Sequence, residues 1–339
     1  MSGTSLDGID LALCHFEGVH YQVLDATTVA YSPEWRQRLA SVDRGSAFDY
    51  ALTHVEYGHL LGRTVRSFLD GRDCNAVASH GHTVFHQPER GLTAQIGCPN
   101  AIAAECRLPV VADFRTLDVA LGGQGAPLVP MGDQLLFPQY DACLNLGGIA
   151  NISYGREVRT AFDICPCNMA LNRIAQSIGR DYDPDGALAR SGEVDHMLLR
   201  QLNALPYYHS PAPKSLGKEW FDKEFWPMVE QSKSTPESML ATCTRHTAQM
   251  IAEVITTEQI ASVLVTGGGT HNGFLIETLR ALAPQCSITV PDQLTIDFKE
   301  AIVFAFLGYR RLCNATNTLK SVTGAARNSS GGVVSGVLC

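Results

Sequence analysis

No stretch of the chain holds the roughly 18 consecutive apolar residues that a membrane-spanning helix needs. No basic segment followed by an apolar run comes after Met1, so no secretory leader is expected. Charged residues are scarce, at 18% against a usual level of about 25%. Acidic side chains outnumber basic ones, for a formal net charge of −8. That balance argues against nucleic acid or an anionic membrane as a partner, and an anionic substrate would need a local basic patch. The common nucleotide fingerprints are missing: there is no Gly-x₄-Gly-Lys-Ser/Thr and no Gly-x-Gly-x-x-Gly. Paired cysteine signatures are missing too. The eleven cysteines are scattered, several of them inside apolar runs (Cys14, Cys143, Cys286), which suits reduced, buried thiols in a cytoplasm. Cys165-Pro-Cys167 is spaced too tightly for the usual zinc or redox pair.

What is present is a chain of 339 residues, long enough for two domains, with a globular share of hydrophobic residues at 45%. Its opening stretch is Met1-Ser-Gly-Thr-Ser-Leu-Asp-Gly-Ile-Asp10. Gly3 and Gly8 bracket the hydroxyls of Thr4 and Ser5 and the carboxylate of Asp7, and Asp10 precedes an apolar run. Backbone N–H groups in such a turn, with two hydroxyls, can wrap a phosphate, and the carboxylates can hold a hydrated Mg²⁺ beside it. The same residues also suit an ordinary surface hairpin.

Apolar patterning predicts hairpin strands over 1–31, helices within 33–71, a short strand at Asn75–Ser79 and a second at Ala94–Gly97. A helix follows from Cys98, then a buried strand at Pro109–Asp113. Residues 113–130 read as a long glycine-rich connection, and so as functional or a linker. The pattern then restarts: strand Asp141–Leu146, glycine turn, strand Ile152–Tyr154, strand Arg159–Phe162, helix Met169–Ile178. Glycine turn, strand, strand, helix therefore occurs twice, without a close sequence repeat. A mostly helical stretch carries the aromatic and proline-rich loop Pro206–Phe221. Ala261–Gly269 is a buried strand running into glycines, Asn272–Leu282 and Lys299–Leu312 are helices, and the tail from Lys320 is rich in glycine and serine. This is an α/β chain.

Four segments together carry a resemblance: Ser2–Asp10, Gly122-Gly-Gln-Gly-Ala-Pro-Leu-Val-Pro130, Asn145-Leu-Gly-Gly-Ile-Ala-Asn151 and Thr266-Gly-Gly-Gly-Thr-His-Asn272. The chain resembles the anhydro-N-acetylmuramic acid kinases nearly end to end. The resemblance implies the actin, Hsp70 and hexokinase-like superfamily: α/β, with two ribonuclease-H-like domains around a nucleotide cleft. The expected division is 1–125 plus 308–339 for one domain and 126–307 for the other. The implied activity uses ATP and Mg²⁺ to open the 1,6-anhydro ring with water and phosphorylate O6, giving N-acetylmuramic acid 6-phosphate for recycling of peptidoglycan sugars.

The resemblance further implies a catalytic base at Asp163. One carboxylate near the anomeric carbon can take the proton of the attacking water, while phosphoryl transfer needs positioning and charge neutralisation. Read without the resemblance, Asp163 equally suits the cap region of the following helix. Nucleotide and phosphate contacts are expected from Gly3, Thr4, Ser5, Leu6, Asp7, Gly8, Ile9, Asp10, Gly147, Gly148 and Asn151, and from Gly267, Gly268, Gly269 and Asn272 near the adenosine. Asp7 is the candidate for Mg²⁺, through water. Sugar contacts are expected from Arg115, Glu300, Thr83 and Asp118. An arginine suits a lactyl carboxylate or a phosphate, although Glu300 also reads as a first-turn helix carboxylate.

The three histidines of His80-Gly-His-Thr-Val-Phe-His86 could ligate zinc by count; the resemblance makes them a sugar-pocket loop, with His82 where the family usually has glutamine. In Ile164-Cys-Pro-Cys167 two cysteines replace the family's glycines, which puts side chains where backbone would approach a ligand and predicts sensitivity to oxidation. Family members carry a strand ahead of the opening turn, so restoring residues before Met1 is expected to raise stability and ATP affinity. The other expectations are a cytoplasmic protein, no nucleic-acid or membrane partner, and a homodimer. Two other readings fit the same pattern: a different amino-sugar kinase, and a nucleotide-switched binding module.

Overall fold

The computed structural model describes all residues except 3–5, 213 and 337–339. The expectations placed on Gly3, Thr4 and Ser5 lie outside the described residues. The chain forms two compact units: Met1–Leu136 with Phe298–Cys339, and Phe137–Asp297.

The first unit opens with an antiparallel hairpin, β1 (Gly8–Glu17) and β2 (His20–Ala30), closed by a turn at Gly18. Met1 and Ser2 begin a ladder on the other edge of β1. Asp10 N–H donates to the Met1 carbonyl at 2.9 Å, and Ser2 pairs with Ile9. β3 (Val77–Ser79) and β6 (Val110–Ala112) run parallel, with β12 (Val333–Ser335) antiparallel on the outer edge of β6. A second hairpin pairs β4 (His82–Gln87) with β5 (Leu92–Ile96).

β1 is covered on both faces. Ile9 and Leu11 join the core of Tyr57, Leu61 and Ile102, while Phe16 lies against Phe306 and Tyr309. Yet β1 and β3 belong to separate ladders, and a groove lined by Leu11, Leu13, Ala78 and Phe304 runs between them.

The helix Ala47–Leu69 has a capping box, in which Ser46 and Asp49 satisfy each other's backbone N–H groups. The connection expected over 113–130 holds two helices, Thr116–Ala120 and Val129–Leu136. The second stays in the first unit: Gly132 lies against Val303, and the buried Lys299 and Asp133 pair at 2.8 Å. The chain therefore divides beyond Leu136 rather than after Gly125.

The second unit is built on one five-stranded sheet in the order β11-β10-β7-β8-β9. β7 (Ala142–Leu146), β8 (Ile149–Tyr154) and β9 (Thr160–Pro166) form an antiparallel meander. β10 (Ser262–Thr266) and β11 (Ser287–Thr289) add in parallel on the far side of β7. This is the ribonuclease-H-like order. The core beneath it gathers Leu144, Ile152, Val263 and Val265 from the sheet, with Ile251 and Ile255 from the helix Pro236–Thr257 and Leu275 and Leu279 from the helix Gly273–Leu282. The helix Gln293–Leu312 returns the chain to the first unit. It starts before the expected Lys299 because Asp292 accepts the Thr295 N–H at 3.0 Å and caps it.

Candidate active site

In the second unit, strand register puts polar side chains in one row. Thr266 of β10 pairs with Asn145 of β7, Asn145 with Asn151 of β8, and Asn151 with Asp163 of β9. Directly paired residues share a face, so the row lies on one side of the sheet, at the carboxyl ends of β7 and β10. Ligands favour this end of such sheets.

The glycine turns follow from the same strands. The Gly147 and Gly148 carbonyls accept the N–H groups of Cys167, Asn168 and Met169 at 2.9–3.1 Å, tying the turn to the start of the helix Asn168–Ser177. Because peptides are trans, the Gly148 N–H points away from the Gly147 carbonyl, and Gly148 itself is exposed. A Cβ on Gly148 would meet only Met169 atoms at 3.8 Å.

Gly267 differs. Its φ of +87° needs glycine, and a Cβ there would lie 2.4 Å from Asn145 Oδ1. Asn168 donates to the Leu146 carbonyl at 3.1 Å and completes the bracing of these turns. Gly268 is exposed, whereas Gly269 packs on Leu146. Asn272 uses its side-chain oxygen to cap the helix Gly273–Leu282 through the Leu275 N–H, at 3.0 Å. That oxygen is therefore occupied with shaping the loop end.

Asp163 is half-buried and lies in a strand, not at a helix cap, since the residue capping the next helix is Cys167. The β8–β9 register shifts between Ala150 and Asn151, which makes Ile164 an extra residue. Bulges of this kind re-aim side chains beside active sites. One Asp163 oxygen, Oδ2, accepts the Leu216 N–H at 2.8 Å. Burial pushes its carboxyl above the usual range, and the Leu216 amide opposes this in part.

Cys165 and Cys167 point into the core rather than toward the turn. Both are fully buried, burial pushes both thiols up, that of Cys167 to about 12, and both stay protonated. The oxidation sensitivity expected from the sequence is therefore corrected: the cysteines are shielded and lack the thiolate that oxidants attack.

In the first unit, Asp113 adopts φ +57° and accepts hydrogen bonds from both the N–H and hydroxyl of Thr116, which turns the chain sharply ahead of Arg115. Arg115 donates through Nε to His80 Nε2 at 2.9 Å and through Nη1 to the Gly125 carbonyl at 2.7 Å. His80 must be neutral to accept. Its Nδ1 faces the Gly81 carbonyl at 3.0 Å, and burial with the Arg115 charge lowers its pKa to about 3. Burial also lowers the Arg115 pKa, to about 10.

Burial raises the Glu300 carboxyl pKa. Lys299, Arg115 and the Met1 amino group pull the other way. Asp10 adds negative charge there and accepts the Thr28 hydroxyl at 2.7 Å. Asp7 is exposed, Leu6 takes φ +57°, and Gly8 and Ile9 are buried.

Asp118 is corrected from a sugar contact to a turn brace. It is fully buried and accepts Gly125 N–H on Oδ2 at 2.8 Å and the Thr323 hydroxyl on Oδ1 at 2.7 Å. Thr83 faces Gln95 across the second hairpin, at 3.4 Å. The three histidines have separate partners. His82 meets Ser2 and His86 meets Thr93, and no cluster of three metal-binding side chains occurs among the described residues.

The sequence reading missed Asn145, Asn168 and Leu216. Asn145 lies inside a quoted motif and is found by counting strand positions, while Asn168 follows Cys167 directly and opens the next helix. Leu216 has no local signal, since only its backbone N–H acts.

The family model for anhydro-N-acetylmuramic acid kinase matches residues 1–336. A relative of that name from Aliivibrio fischeri is 35% identical over 356 aligned residues, covering 98% of this chain and 97% of the relative. Another of that name, from Pasteurella multocida, is 38% identical over 349 residues, covering 96% and 92%. With the glycine turns, the polar row and the half-buried carboxylate in place, this chain belongs to the anhydro-N-acetylmuramic acid kinase family.

Proposed function

We propose that the chain is an ATP-dependent kinase that opens 1,6-anhydro-N-acetylmuramic acid with water and phosphorylates its O6, yielding N-acetylmuramic acid 6-phosphate in peptidoglycan sugar recycling. The observation that carries the reading is Asp163: a half-buried carboxylate aimed by a bulge, with one oxygen held by an amide and a pKa raised toward that of a useful base. Asp163 takes a proton from the water that attacks the anomeric carbon. The bond from that carbon to O6 breaks, and O6 then attacks the γ-phosphorus as ADP leaves.

Gly147 and the exposed Gly148 cradle phosphate through their backbone, with Asn151 on the adjoining strand. Gly268 is the exposed glycine of the loop assigned to adenosine. In the first unit Arg115 supplies the local positive charge that an acidic chain needs for an anionic sugar, and Glu300 and Thr83 supply polar contacts. Asp7 and Asp10 suit Mg²⁺, which takes one or two carboxylates and fills the rest of its shell with phosphate oxygens and water. Bound there, it would neutralise charge on the transferring phosphoryl group. A cytoplasmic location and homodimeric assembly belong to the same proposal.

The test is incubation with the anhydro sugar and ATP·Mg²⁺. The product should be heavier than the sugar by one phosphoryl group and one water. Recovery of unchanged sugar would overturn the reading.

A further inference from the structure

β9 is the edge strand of its sheet, so the backbone groups of Asp163 that point away from β8 need partners elsewhere. Two stretches of the following loop provide them. Asp163 N–H donates to the Lys214 carbonyl at 3.2 Å, and the Tyr207 hydroxyl donates to the Asp163 carbonyl at 2.6 Å. The Leu216 N–H then reaches the side chain, at Oδ2. Lys214 closes the loop on itself, its ammonium donating to the carbonyls of Tyr207 and Tyr208 at 3.1 and 3.3 Å.

Resting on the proposed role of Asp163, we infer that Tyr207 and Leu216 are positioning residues for the reaction: the Leu216 amide fixes Oδ2, leaving Oδ1 as the oxygen that receives the proton from water. The transfer balances within the carboxyl group. Water loses a proton to Oδ1, its oxygen bonds to the anomeric carbon, and the neutral acid keeps the amide hydrogen bond on its other oxygen. A carboxylate held at one oxygen by an amide is pre-aimed, since rotation about Cβ–Cγ would break that bond.

The titratable side chains next to Asp163 on this segment are Tyr207 and Lys214. Cys165, two residues along β9, is buried and protonated. Burial and the Leu216 amide are the influences that set the Asp163 carboxyl. An amide bound to the charged form lowers a carboxyl pKa, so its loss must raise it.

The experiment compares kcat against pH for Leu216→Pro, which removes the N–H, and Leu216→Ala, which keeps it, with Tyr207→Phe as a variant that leaves the loop backbone intact. Leu216→Pro should move the acidic limb up by about one pH unit, while Leu216→Ala should keep the wild-type limb. Tyr207→Phe frees the loop that carries the Leu216 N–H from the Asp163 backbone, so it should lower kcat several-fold with the sugar KM within about twofold, and move the limb in the same direction but by less than Leu216→Pro. A merely structural role would change melting temperature in all three and leave the limb in place. Asp163→Asn separates the two claims. If it turns over sugar at the wild-type rate, the proposed base is wrong. If it is inactive while the limbs of Leu216→Pro and Tyr207→Phe coincide with the wild type, only the positioning inference fails. Should Leu216→Pro not fold, the Tyr207→Phe profile decides alone.

Discussion

Asp163 owes its raised carboxyl pKa to burial more than to any charged neighbour, and this fixes the sign of the pH dependence. The proposed base works only when ionised, so kcat should fall as pH falls through a value above the ordinary carboxylate range, as a pH–rate profile will show. Asp163→Asn should cost about 10²–10⁴-fold in kcat with ATP binding unchanged by calorimetry.

A second residue-scale prediction concerns His246. It is fully buried, with Nδ1 2.6 Å from Asn203 Oδ1 and Nε2 2.9 Å from the Tyr208 hydroxyl. Burial lowers its pKa to about 3. The unfolded chain takes up a proton near pH 6.5, the native chain only near 3. Its contribution to stability is therefore complete above pH 6.5 and is lost as pH falls toward 3. Urea midpoints measured across that window should fall less steeply in His246→Gln.

Asp163, the proposed base, and the glycines were legible as residue types in motifs. Asp118 was misread because a carboxylate beside Arg115 in a glycine-rich loop looks like a ligand, and only the fold shows both oxygens already occupied.

Glycine turns separate two kinds of requirement at the scale of elements. Gly148→Val has room for its side chain, so its melting temperature should stay near wild type, within about 0.5 kcal/mol, while the KM for ATP rises at least tenfold. Gly267→Ala meets a positive φ and the Asn145 side chain, and should lose about 1–3 kcal/mol of stability. Thermal melts with ATP titrations distinguish the two. The sequence identified both as glycine turns but not which served packing, because that depends on Asn145 and Leu146 from a neighbouring strand.

Short strands such as β3 and β6 were readable as apolar runs bounded by polar residues. The helices inside 113–130 were not, because glycine and proline dominate the composition there. Thr116–Ala120 starts where the Asp113 side chain accepts the Thr116 N–H, and Val129–Leu136 is held by packing on Val303. The groove between β1 and β3 makes its own prediction. An extended apolar segment fused ahead of Met1 should continue the Met1–Ser2 ladder along β1. Its melting temperature should rise and the β1 amides should become more protected from exchange. An unchanged melt with unprotected amides would show that the groove accepts no strand.

Considered as a whole molecule, the chain shows its duplicated logic in the sequence, as glycine turn, strand, strand, helix occurring twice. The units realise it differently. The second has a continuous five-stranded sheet, whereas the first has its strands in separate ladders. Their limits were not legible at residue resolution, because the buried Lys299–Asp133 pair that keeps Val129–Leu136 with the first unit joins positions far apart in sequence.

The central claim is that one site both adds water to a sugar and phosphorylates it. The most direct measurement is turnover of 1,6-anhydro-N-acetylmuramic acid with ATP·Mg²⁺ in ¹⁸O-water, read by mass spectrometry at early times. The account predicts a 6-phosphorylated product carrying one ¹⁸O at the anomeric carbon, formed with one ADP. A phosphorylated sugar without the label, or ATP turnover unchanged by the sugar, would contradict it.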